Sequence, residues 1–169
     1  IDKEKLESLY IHTSNVNSLS FLMYFNIVNL NYLFIINCNI NSIETFRKVQ
    51  FPRLKVLDLS KNKISDIESL KDIKANSLEV LNLSWNKISN INVLENEIFK
   101  TLKEINLSHN QISDISVFNR IKFKKNATLI LEFNNIKDIN ILNKEHLKDF
   151  INLKIGNQFD SNTETNTNP

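Results

Sequence analysis

The sequence predicts an α/β solenoid of about seven turns, an arc or horseshoe. A parallel β-sheet would line its concave face, with short helical or 3₁₀ turns on its convex face. Three observations predict this. One apolar pattern restarts seven times, at Leu6, Leu30, Leu54, Leu78, Leu102, Asn126 and Phe150, each 24 residues after the last. The register holds from Leu6 to Phe150 without a gap or insertion. Within each turn a stretch of period two gives way to apolar residues three to five apart. A chain that repeats one supersecondary unit can bury its apolar face only by stacking the units.

The strand comes first in each turn. Three residues after each start stand Leu9, Leu33, Leu57, Leu81, Ile105, Leu129 and Leu153. Two residues further on stand Ile11, Ile35, Leu59, Leu83, Leu107, Leu131 and Ile155. The residues between are mostly polar, which is the alternation of a half-buried strand. Successive turns set these strands side by side and parallel, about 4.8 Å apart. Asn126 is the one clear miss among the starting positions, so a local irregularity is expected there.

Where the chain leaves the strand, the eighth offset carries Cys38, Asn62, Asn86, Asn110 and Asn134. Backbone groups lose their sheet partners at this point. An asparagine amide has donors and an acceptor to satisfy N–H and C=O groups of its own and a neighbouring turn. A cysteine is small and weakly polar enough to occupy the same slot. The column reads as structural, and loss of one such amide would cost roughly 1–3 kcal/mol.

The return path follows. Ile64, Ile67, Leu70 and Ile73, or Ile88, Ile91, Leu94, Ile98 and Phe99, have the spacing of short helical or 3₁₀ turns. At the ends the pattern weakens. Residues 1–29 form an N-terminal edge with a degenerate first repeat, 30–149 form five regular repeats, and 150–159 a terminal strand or cap. Residues 1–9 are helix-permissive and could cover the first turn, while Asp160 to Pro169 has no apolar residue and reads as a disordered tail.

The stretches Leu54-Lys-Val-Leu-Asp-Leu-Ser-Lys-Asn-Lys-Ile-Ser-Asp-Ile67 and Leu102-Lys-Glu-Ile-Asn-Leu-Ser-His-Asn-Gln-Ile-Ser-Asp-Ile115 resemble leucine-rich repeats. Their form is similar to the subclass of the protein phosphatase 1 regulatory subunit and the bacterial internalins. Its period is longer than usual there, and no proline follows the Ile-Ser-Asp-Ile motif. The resemblance covers Leu6 to Phe159 and implies the fold strongly. It implies little about function, because such repeats serve unrelated recognition tasks.

Composition excludes several function classes. A formal net charge of +2 is too small to imply nucleic-acid or membrane attraction. No apolar run reaches the length of a membrane span, and no signal peptide is visible. The chain opens on Ile1 with no initiating Met, which reads as a fragment or processed piece, so targeting signals could lie outside it. One cysteine rules out an internal disulfide and favours a reducing compartment, hence the cytoplasm. His12, His109 and His146 have no metal-ligand spacing, and the single glycine forbids a glycine-rich phosphate loop. Ser60, Ser84 and Ser108 repeat as strand consensus, without a systematically placed base. The expectation is a chain that is not an enzyme, takes no cofactor or metal, and is monomeric.

Function is then expected where the sequence departs from its own period. Tyr32 and Phe34 lie with Tyr10 and Ile36 on the outward strand positions of the first two turns. Trp85, His109 and Phe133 stand in one column over three successive turns, with Asp58, Asn82 and Asn106 in the column three residues earlier. Aromatic groups exposed in a concavity are typical protein anchors, since each buries much area at small entropic cost. The leading reading is a protein-interaction module using these residues. A scaffold or targeting segment of a phosphatase, kinase or ubiquitin-ligase assembly, and an internalin-like surface adhesin, are the alternatives.

Overall fold

The protein is described here by a computed structural model covering residues 6–121, 123–142 and 150–156. Seven strands form one parallel sheet in chain order: β1 (Ser8–His12), β2 (Tyr32–Ile36), β3 (Val56–Asp58), β4 (Val80–Asn82), β5 (Glu104–Asn106), β6 (Ala127–Ile130) and β7 (Phe150–Lys154). From β1 to β6 each residue lies opposite the one 24 positions later, as in Ser8 with Tyr32, Val56 with Val80 and Glu104 with Thr128. The sequence period is therefore the sheet register. The return path is made of short 3₁₀ turns, at Ser20–Tyr24, Glu44–Arg47, Glu68–Asp72, Asn92–Glu95, Glu97–Thr101 and Ser116–Asn119.

The core is a single band between the sheet and these turns. Leu57, Leu59, Ile64 and Leu70 of one turn are fully buried against Leu81, Leu83, Ile88 and Leu94 of the next. Phe46, Phe51, Phe99 and Phe118 fill the wider convex side. At the first turn Leu6, Leu9, Ile11 and Val16 are only partly buried, because stacking covers them from one side alone. The last regular turn behaves alike: Ile139, read from its column as core, is half exposed. Its equivalents Ile67 and Ile91 are covered by a following turn. The helix-permissive front also resolves differently. Ser8 and Leu9 belong to β1, where pairing with β2 overrides local propensity, and residues 1–5 lie outside the described residues, as does the 160–169 tail.

The asparagine column is a continuous ladder. Asn62 Oδ1 accepts from the Cys38 and Ile40 N–H groups, and its Nδ2 donates to the carbonyls of Ile35 and Leu59. Asn86, Asn110 and Asn134 each accept from an N–H of the preceding turn, on Ile64, Ile88 and Ile112. Cys38 Sγ lies 3.2 Å from the Ile36 carbonyl, and 3.4 Å from the Ser14 hydroxyl that occupies the first rung. A second ladder enters the 3₁₀ turns. Oxygens of Ser18, Ser42, Asp66, Asn90, Asn96 and Asp114 each accept from the N–H two residues on, and Asp138 repeats the bond in the last regular turn.

The irregularity expected at Asn126 is present. Asn126 is exposed with φ of 66°, and the adjacent Ala127 is buried instead. The pairing then shifts: Ala127 lies opposite Phe150 and Thr128 opposite Asn152. One extra residue of β7 is accommodated as a bulge.

Candidate functional site

Each strand from β1 to β6 is followed by a residue with a left-handed backbone. Thr13, Asn37, Lys61, Trp85, His109 and Phe133 have φ between 47° and 57°. Such a conformation disfavours any side chain with a Cβ by about 1–2 kcal/mol. It persists because the same residues extend the sheet ladder. The N–H of Lys61 donates to the Ser84 carbonyl, that of Trp85 to Ser108 and that of His109 to Glu132, each at 2.9 Å. The backbone under this column is thus fixed from turn to turn, and the side chains it carries are aligned.

Alignment makes a three-ring stack of Trp85, His109 and Phe133. Ring centroids are 3.7 Å apart between Trp85 and His109 and 4.2 Å apart between His109 and Phe133, with interplanar angles of 14° and 11°. Both separations are shorter than the strand spacing of about 4.8 Å, so the rings lean together. Trp85 is 52% exposed. Burial between its neighbours holds the His109 imidazole below the ordinary histidine pKa, against an opposing pull from Glu132.

The polar column expected beside this stripe is engaged with nearby backbone and with its own and serine side chains. Asp58 Oδ1 accepts from the Ser60 N–H, and Asp58 Oδ2 accepts from Asn82 Nδ2. Asn82 Oδ1 accepts from the N–H and hydroxyl of Ser84, and Asn106 Oδ1 does the same for Ser108. These bonds also account for two members of the serine column, Ser84 and Ser108, whose hydroxyls donate to asparagine carbonyls, while Ser60 donates its N–H to Asp58. In the first turns Tyr10 and Phe34 stack at 4.5 Å and 6°. Tyr32 is exposed on the same face and, among the described residues, makes no ring contact. The structure therefore brings Trp85 together with Phe133 through His109, and Phe34 together with Tyr10. No helix of the described residues is long and apolar enough to cross a membrane.

Two family models match the chain: "Leucine Rich repeats (2 copies)" over residues 28–72 and 52–96, and "Leucine Rich repeat" over 100–118. Together they span more than half of the chain. The chain is a leucine-rich repeat protein. Solved structures show the same solenoid. Internalin InlF of Listeria monocytogenes aligns with a TM-score of 0.60 and 22% identity, over 86% of this chain and 46% of its own. Internalin C2 of Listeria monocytogenes aligns at 0.62 and 21%, over 88% of this chain and 70% of its own. The TLR13–ssRNA13 complex aligns at 0.69 and 24%, over 88% of this chain and 21% of the receptor. At these identities the likeness is one of fold. Comparison with curated proteins finds no match.

Within this leucine-rich repeat protein, the repeating residues build the core and both ladders, leaving the strand-exit column as its most individual surface. Lys63 and Lys87, beside the aromatic stripe, carry no ring and stand outside the expected site. Their signal was the lack of any acid from Thr13 to Asn135 in the strand-exit column and the column two residues on.

Proposed function

We propose that this leucine-rich repeat chain is a non-enzymatic interaction module that binds a protein partner on its concave face. Trp85, His109 and Phe133 are its anchors, Tyr32 and Phe34 extend the contact, and Asp58, Asn82 and Asn106 supply polar selection. The observation that carries this reading is the exposed three-ring stack on an ordered backbone. A rigid aromatic surface loses little conformational freedom when covered, so most of its burial is realised as affinity. Asn106 Nδ2 is the amide of the polar column best placed to select, since the Ser108 N–H and hydroxyl both bond its Oδ1, whereas Asn82 Nδ2 is given to Asp58. A monomeric module in a reducing compartment, the cytoplasm, fits the lone Cys38, which is buried as a rung of the ladder. Service as the scaffold segment of a larger assembly would use the same face.

Affinity capture tests this directly. Replacing Trp85 and Phe133 by Ala is expected to abolish partner retention while far-UV circular dichroism is unchanged, because neither side chain belongs to the core band. Retention equal to wild type would reject the placement.

A further inference from the structure

The aromatic stack ends differently on its two sides. His109 covers one face of Trp85. One turn earlier, where a fourth ring would stand, the column carries Lys61. Lys63 and Lys87 occupy the adjacent column in the same two turns, and all three lysines are exposed. Among the described residues none of the three has an ion-pair partner. Elsewhere Arg47, Lys71, Lys100, Lys103 and Arg120 each meet a carboxylate. The acids nearest them in sequence are Asp58, which accepts from the Ser60 N–H and Asn82 Nδ2, and Asp66, which accepts from the Glu68 N–H; among the described residues neither is ion-paired to these lysines. Three cations on adjacent turns repel one another, and a ligand that neutralises them is favoured by that relief as well as by direct attraction.

We infer that this rim takes an acidic segment of the protein partner, an extended stretch with an aromatic side chain between carboxylates. The aromatic ring lies on the exposed indole of Trp85, and the carboxylates meet Lys61, Lys63 and Lys87. This rests on the concave-face reading and adds the partner's chemistry to it.

Trp85 is the only tryptophan of the chain, so its fluorescence reports the site alone. The full chain is titrated at low ionic strength with four probes: capped Asp-Glu-Phe-Glu-Asp, capped Lys-Arg-Phe-Arg-Lys, an uncharged apolar peptide and a single-stranded oligonucleotide. The acidic peptide is expected to change the emission saturably, with affinity falling as salt rises, and the basic peptide to leave it unchanged. Substituting K61N, K63Q and K87Q together should weaken the acidic peptide roughly tenfold, three exposed ion pairs being lost. Circular dichroism checks that this variant is folded. Equal affinity for acidic and basic peptides, full affinity in the triple variant, or saturation by the oligonucleotide alone would overturn the inference. If the uncharged peptide binds as tightly as the acidic one, the charge assignment fails while the concave-face reading stands. That reading fails separately, if partner capture survives loss of Trp85 and Phe133.

Discussion

His109 is held between two rings on a strand exit whose backbone cannot relax. Its imidazole pKa is lowered by burial, so the unfolded chain binds a proton more readily than the folded one over the window just below the ordinary histidine value. Stability should therefore fall as pH drops through that window. His109→Phe keeps a ring in the stack and removes the titration. Denaturant midpoints measured at about pH 7.5 and about pH 5 are expected to separate more for the wild type than for this variant. Equal separations would show that the stack does not feel the proton. Histidine in this column was legible in the sequence. Its sandwiching was not, since spacing places residues in a column without giving φ or ring orientation.

The 3₁₀ turns show how an element too short to stabilise itself is held. Each is entered through a side-chain oxygen that takes an otherwise unpaired N–H, and Asp114 does this for Ser116. That backbone hydrogen bond, with a second from the Ser116 hydroxyl, lowers the Asp114 carboxyl pKa. The stability it contributes is present above the ordinary aspartate value and is lost as pH falls through the lowered one. Asp114→Ala is expected to cost about 0.5–1 kcal/mol in chemical denaturation. Asp114→Asn should retain most of that while flattening the acid dependence, because Asn90 caps the equivalent turn as a neutral amide. A loss in Asp114→Asn as large as in Asp114→Ala would refute the capping role. The column of Ser, Asp and Asn just before an apolar run was a readable cap signature. Its apolar neighbours place the turns, while the side-chain oxygens that start them become visible only as hydrogen bonds.

At the scale of the molecule, each turn touches only its neighbours, and identical junctions recur along β2 to β5. Removing residues 54–77 joins Arg53 to Leu78 with every column preserved. The shortened chain is expected to fold, with a denaturant m-value smaller by roughly one-seventh, since m follows the surface exposed on unfolding. Loss of cooperative unfolding in that deletion would show that the turns are not interchangeable. The regular turns were legible because their period equals the sheet register. Legibility failed at the ends for a physical reason. Ile139 carries the same side chain as its buried equivalents Ile67 and Ile91, but burial is set by the neighbouring turns, which a column position does not report.

The left-handed strand exit also limits how this surface can change over evolution. Five of its six described positions, Asn37 to Phe133, hold residues unbranched at Cβ, and the branched one, Thr13, lies in the edge turn. A backbone that disfavours branched side chains at that point restricts the vocabulary from which new partners can be selected. A randomised library at this column would be enriched in glycine and asparagine and depleted of valine, isoleucine and threonine before any partner is offered. The solenoid's stability requirement and its capacity to acquire new specificities therefore meet at one position, where each recognition side chain is held against the backbone's own preference by the ladder beneath it.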